Sequence, residues 1–184
     1  MNKRTPILAI VAVSSLAIAA VAFATTTPVL TYTPPTIKVK DHSFHNSSEN
    51  FLIGRENEHF FFQSATGMAI DPASDKGCFG DMGATFCDRK GVKKIVVMTN
   101  DENDTVEIDL GASADKVKQI LKGQDDNDDL FGGEGTQKLV GGEGDDELEG
   151  GPGKDILLGG PGLDICDGGP GKDTVKDCEP APMR

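Results

Sequence analysis

The sequence predicts an all-β protein, a parallel β-solenoid of nonapeptide repeats preceded by an irregular β-rich part. Three observations predict it. Residues 123–176 divide, with no insertion, into six nine-residue units. Upstream, short apolar runs either alternate with period two or stand as compact blocks, separated by turn residues. Between residues 37 and 98 there is no convincing helical spacing.

The units read GQDDNDDLF, GGEGTQKLV, GGEGDDELE, GGPGKDILL, GGPGLDICD and GGPGKDTVK. Their first four positions need a tight turn with positive φ, which glycine permits and most residues resist. The last three form a short strand whose eighth residue, Leu130, Leu139, Leu148, Leu157, Cys166 or Val175, is expected to face inward between two small sheets. Two units make one turn of the solenoid. The sixth position is Asp in five of the six units. A carboxylate beside free backbone carbonyls suits Ca²⁺, which takes about six to eight oxygen ligands, and the pattern Gly-Gly-x-Gly-x-Asp-x-(large apolar)-x marks a calcium-binding parallel β-roll. Three stacked turns rise only about 14 Å at roughly 4.8 Å per layer. So narrow a core would struggle to hold alone, and the ion is expected to supply folding free energy by neutralising facing carboxylates.

Two other readings compete. Glycine with acidic residues also composes solvated linkers, but a linker has no reason to keep an apolar residue at every eighth position; disorder is the state expected without metal. An EF-hand over residues 124–129 lacks Gly at the sixth loop position and Glu at the twelfth.

These units resemble the RTX (repeats-in-toxin) calcium-binding family. The resemblance implies that an ion lies between the turns of units two apart, held by sixth-position Asp and by carbonyls of the glycine turns. Carried over, Asp146 with Asp164 holds one ion and Asp155 with Asp173 another. The glycines at positions one, two and four supply carbonyls or turn geometry: Gly141, Gly142, Gly144, Gly150, Gly151, Gly153, Gly159, Gly160, Gly162, Gly168, Gly169 and Gly171. Asp128 with Asp146 forms a third, degenerate site, because Asp126 stands where Gly belongs and is expected to strain that turn or leave it partly formed. Gln137 replaces Asp in the second unit, so a site there is expected weak or empty. The expectation is two well-formed Ca²⁺ sites and one or two degenerate ones.

Along the chain, residues 1–24 read as a signal peptide: Lys3 and Arg4, an apolar run over residues 7–23, then Ala22-Phe23-Ala24. The alternative is an uncleaved membrane anchor, its 17 apolar residues being at the short limit for a span. The expected location is secreted or cell-surface. The Thr/Pro-rich residues 25–36 suit an unpacked tether. In residues 37–98, Ile37-Lys38-Val39-Lys40, Phe51-Leu52-Ile53 and Phe60-Phe61-Phe62 each read as a strand; three adjacent phenylalanines cannot all enter one core. Ile95-Val96-Val97-Met98 and Thr105-Val106-Glu107-Ile108 read as strands about an acidic turn. Residues 99–122 are degenerate repeats, with Asn103-Asp104-Thr105-Val106 keeping the Asp-x-apolar ending, and residues 117–122 form a strand into Gly123. Secreted RTX-like proteins are similar in this order too, which places the start of the solenoid before Gly123, with irregular turns from about Phe51. The roll then spans 123–178, with a tail at 179–184. Asn46 and Asn103 sit in N-x-S/T patterns.

The chain carries 18 Lys plus Arg against 30 Asp plus Glu. Lys3 and Arg4 are the only charges in residues 1–24, so residues 25–184 have net charge −14, and the excess falls in residues 99–184 with 22 acids and eight bases. Phosphates would be repelled, so nucleic acid is excluded as partner and cations are favoured. Four cysteines in an exported chain suit disulfides. Of three pairings, Cys78 with Cys87 and Cys166 with Cys178 is preferred: the first closes a short loop, the second staples the last turn to the tail. Neither a C-x-x-C nor a nearby His pair supports zinc.

No H-E-x-x-H or G-x-S-x-G is present, and about 70 residues before the repeats is short for hydrolase domains. His42 and His45 are the weak candidates for a metal pair. The reading is a non-enzymatic, exported calcium-binding protein with a structural or adhesive role. Its expected partners are calcium ions and cell-surface or envelope components, with membrane only where the N-terminal segment stays uncleaved. The alternative is a small secreted enzyme with an unrecognised N-terminal site. A toxin-like effector is disfavoured, since that family commonly uses a C-terminal signal.

Overall fold

The structure, a computed structural model, describes residues 29–33, 35–40, 48–56, 58–64, 69–70, 77–81, 84–111 and 116–180. The expected signal segment, His42, His45 and Asn46 lie outside them. Seventeen strands and no helix make up the described part. In chain order they are β1 (Val29–Thr33), β2 (Thr36–Lys40), β3 (Asn50–Glu56), β4 (His59–Ser64), β5 (Ala69–Ile70), β6 (Cys78–Asp81), β7 (Ala84–Asp88), β8 (Lys94–Asn100) and β9 (Thr105–Asp109). Then follow β10 (Lys118–Asp125), β11 (Asp129–Phe131), β12 (Gln137–Glu143), β13 (Glu147–Glu149), β14 (Ile156–Leu158), β15 (Ile165–Asp167), β16 (Thr174–Lys176) and β17 (Glu179–Pro180).

Two sheets result. One has the order β16-β14-β12-β10-β8-β2-β1-β5 and the other β17-β15-β13-β11-β9-β3-β4-β7-β6. Each coil contributes one strand to each sheet, and the pairs β2/β3, β8/β9, β10/β11, β12/β13, β14/β15 and β16/β17 make six coils joined by parallel ladders. The protein is therefore an all-β parallel solenoid. Its regular part begins at Thr36, well upstream of both Gly123 and Phe51, and the added strands bring the three turns of residues 123–176 to six coils in all.

The period-two pattern explains the core. In β2, Ile37 and Val39 point inward while Lys38 and Lys40 are exposed; in β9, Val106 and Ile108 point inward. Leu130, Leu139, Leu148 and Leu157 stack as fully buried residues down the axis, each contributing about 1.5–3 kcal/mol of burial. Val175 departs from the expectation. It is 45% exposed because no further coil covers it.

Two caps close the N-terminal end. Within the expected tether of residues 25–36, Val29–Thr33 is not free, for β1 pairs antiparallel with β2 and buries Leu30. In the other sheet, β4, β7 and β6 continue as an antiparallel meander, which a solenoid needs to cover its first coil. Phe60 and Phe62 enter the core, and Phe61, turned outward, lies over Gly54, whose missing side chain leaves room for the ring. Cys78 and Cys87 face each other across β6 and β7 and are bonded, with Cα atoms 4.0 Å apart. Cys166 and Cys178 are also bonded. The expected tail at 179–184 begins with β17, which pairs with β15 because this second disulfide draws the chain back to the roll.

Candidate metal centre

Between strands, the repeat turns stack in two columns. One column carries Asp128, Asp146 and Asp164, and the other carries Gln137, Asp155 and Asp173. Within a unit the chain reverses so sharply that the sixth-position carboxylate folds back over the first-position glycine. At Gly141 an added Cβ would meet Oδ2 of Asp146, together with the carbonyl oxygen of Gly159 from the next coil at 2.9 Å. At Gly150 it would meet Asp155 Oδ2 at 3.0 Å and the Gly168 carbonyl at 2.8 Å. Glycine at these positions opens a cradle where a carboxylate oxygen and a carbonyl from the following coil converge.

The carboxylates are tied into ladders. The backbone N–H of Asp128 donates to Asp146 Oδ1 (2.9 Å), that of Asp146 to Asp164 Oδ1 (3.0 Å), and that of Asp155 to Asp173 Oδ1 (2.9 Å). The structure thus brings together the Asp128–Asp146, Asp146–Asp164 and Asp155–Asp173 pairs. An outer ladder runs beside the first column: Asp145 N–H donates to Asn127 and Leu163 N–H to Asp145.

Each inner carboxylate spends Oδ1 on its ladder. In four of the five the second oxygen is left over. Oδ2 of Asp128, Asp146, Asp155 and Asp164 is buried without a hydrogen-bond partner. Burial pushes the Asp128 carboxyl up to about 8; the N–H of Asp104 opposes this, and the charges of Asp104, Asp146 and Asp126 add to it. Burial likewise pushes Asp146 up to about 6, against the N–H of Asp128 and with repulsion from Asp164 and Asp145. Asp155 and Asp164 are raised for the same first cause, with Asp173 and Glu179 respectively among the repelling charges.

These facts fit a hard divalent cation. The donors are all oxygens, they are anionic, and no base approaches them among the described ion pairs. No group of three or more His, Cys, Asp or Glu side chains converges among the described residues. An ion here would draw on paired carboxylates and complete its shell with turn carbonyls, as Ca²⁺ readily does. Bound at the cradle, such a cation would neutralise the facing carboxylates and link successive turns.

The degenerate units are also explained. The turn containing Asp126 is fully formed, with Gln124 at φ 103° and Asp126 at φ 69° in the region that Gly142 and Gly144 occupy one coil later. Strain is borne there rather than relieved by disorder. In the second column, the N–H of Gln137 still donates to Asp155 Oδ1, while its Nε2 donates to the Glu134 carbonyl and its Oε1 is buried. The amide keeps the ladder without a charge.

Sequence reasoning did not assign Asp104 to the ladder, although its Asp-x-apolar ending was the signal. Asp104 is 2% exposed; its N–H donates to Asp128 Oδ1, and its own Oδ1 accepts from Glu49. Thr99, which occupies the first-glycine place, is buried and donates its hydroxyl to the Gly123 carbonyl.

A family model for the RTX calcium-binding nonapeptide repeat matches residues 120–136 and 140–175 in four copies. The break between the two matches falls on Gln137, Lys138 and Leu139, where the second unit loses its carboxylate. No curated protein and no solved structure matches the chain. The cradles, the carboxylate ladders and the repeat match agree: residues 120–136 and 140–175 are RTX calcium-binding nonapeptide repeats, stacked as a parallel β-roll.

Proposed function

We infer that this chain is an exported protein that uses calcium to order its C-terminal roll and serves a structural or adhesive role at the cell surface or outside it. The observation that carries the reading is the column of buried Oδ2 atoms on Asp128, Asp146 and Asp164, stacked in successive coils without a partner. Like charges confined to one column oppose folding. A cation that binds only the folded arrangement turns binding free energy into folding free energy. The intact pairs, Asp146–Asp164 and Asp155–Asp173, take the well-formed sites, and the Asp128–Asp146 pair takes a degenerate one.

Export is supported by the N-terminal sequence pattern and by the two disulfides, which persist in oxidising surroundings. RTX repeats are calcium-binding and structural modules in general, which favours the non-enzymatic reading. The test is circular dichroism of the chain in excess chelator and in millimolar calcium. A gain of β signal with the ion supports the reading, and an unchanged spectrum sinks it.

A further inference from the structure

The two sheets present opposite outward faces of opposite charge. On the face formed by β2, β8, β10, β12, β14 and β16, the register sets Lys94 beside Lys118, Lys38 in the row of Lys138, and Lys40 in the row of Lys122 and Lys176. No carboxylate stands within these lysine rows; the exposed Asp125 and Glu143 lie past them, side by side at the C-terminal ends of β10 and β12. Among the described residues, none of these lysines makes an ion pair. Between the rows stand apolar residues, including Ile120, Val140 and Ile156, the last 41% exposed. Lys93, Lys116, Lys118 and Lys138 also border an open cavity of about 460 Å³.

On the other face the pattern inverts. Asp129 lies beside Glu147, and Glu107, Glu149 and Asp167 share the next row. No outward position of β9, β11, β13 or β15 carries a base. Here too apolar groups stand between the charges, with Ile165 at 40% exposure and Phe131 half-buried.

We propose that the lysine face of one copy docks on the acidic face of a second copy of this chain. Both halves of the charge complementarity are present in one molecule. Both have the same spacing, because each coil adds one strand to each sheet at about 4.8 Å. Lysine rows can therefore meet carboxylate rows in register over several coils, with Ile156 and Ile165 among the apolar groups covered between them. The contact joins two different faces lying on opposite sides of the roll, so it is heterologous and open-ended, building stacks rather than closed dimers. The four acidic strands span about 14 Å, so one contact falls well below the roughly 800 Å² per partner of a standard stable interface and belongs with weak, transient ones. Each contact is weak and salt-sensitive.

The chain, purified with calcium as an exporting host leaves it, is examined by sedimentation over a concentration series in low and high salt. The expected result is a mass that rises with concentration and falls to the monomer in high salt. Lys118→Glu with Lys138→Glu, and separately Glu147→Lys with Glu149→Lys, each abolish association, and mixing the two variants restores it. Both keep the calcium-dependent β spectrum; if either does not, Lys122→Glu or Glu107→Lys carries the same test. A wild type that stays monomeric at millimolar concentration in low salt overturns the proposal. So does association that survives both variants, or a mixture that stays monomeric. Pelleting of monomers with phosphatidylglycerol vesicles, in place of self-association, also overturns it and hands the lysine face to an anionic lipid surface.

Discussion

The N–H of Asp146 donates to Asp164 Oδ1 across 3.0 Å, while Oδ2 of each residue stays buried without a partner. Position is thus fixed by one oxygen and charge is concentrated on the other. Replacing Asp146 by Asn keeps an acceptor for the ladder and removes the charge. Asp146 belongs to two carboxylate pairs and Asp173 to one, so Asp146→Asn should weaken two calcium sites and Asp173→Asn one. Losing an ion held at a hundred times its dissociation constant costs about 2.7 kcal/mol. Calorimetric calcium titration of both variants checks this, and equal losses would contradict the shared role of Asp146. In chelator the sign reverses: Asp146→Asn should be more stable than wild type, having lost a buried, repelled charge.

The pH dependence follows from the same burial. In the fold Asp128 is raised to about 8 and Asp146 to about 6, from an ordinary value of 3.8. Between 3.8 and those values the folded chain binds more protons than the unfolded chain, so without calcium its stability falls as pH rises through them. With calcium the trend inverts, because protons compete with the ion for the same oxygens. Denaturation in chelator should show a more stable roll at about pH 5 than at about pH 8, and in saturating calcium a less stable one.

Gln137 offers a gain-of-site experiment. Its N–H already donates to Asp155 Oδ1 as an Asp in that position would. Gln137→Asp should add one ion to the calcium stoichiometry, and in chelator it should destabilise the roll through loss of the Nε2 bond to Glu134 and the added charge. An unchanged stoichiometry by equilibrium dialysis would show that the second unit fails for a reason other than its missing carboxylate.

Asp126, at φ 69°, fills a place that glycine fills in the later units. Asp126→Gly removes left-handed strain worth about 1–2 kcal/mol. It gives up an exposed hydrogen bond from the N–H of Glu102 and a charge near Asp128. The calcium-bound form should gain on the order of 1 kcal/mol by thermal or denaturant melting.

Much of the roll was legible because its positions are physically constrained. The inward leucines, the sixth-position carboxylates and the first-position glycines each answer to one requirement of the turn or core. The upstream coils were harder to read. The coil from Asp104 to Asp128 spans 24 residues where the next, from Asp128 to Asp146, spans 18, and the added length breaks the nonapeptide register. The glycines vanish there as well, yet Asn100 and Glu102 take the positive φ of the missing pair at 110° and 74°. Leu30 was misplaced for a related reason. Threonine and proline around it read as a tether, but pairing with an exposed edge of β2 and burial of one side chain suffice to make a strand.

The ladders have a direction. In the inner ladders the amide belongs to the earlier coil and the accepting carboxylate to the later one, as with Asp128 and Asp146, while the outer ladder runs the other way, from Asp145 N–H to Asn127 and from Leu163 N–H to Asp145. The outer contacts let a new coil dock on its predecessor, and the inner amides of that predecessor are satisfied only when the new coil arrives. Where the N-terminus is delivered first, the antiparallel cap can template the first coil, and every new unit latches the one before it. At the C-terminal end the last latch is covalent, with Cys178 fastened back to Cys166.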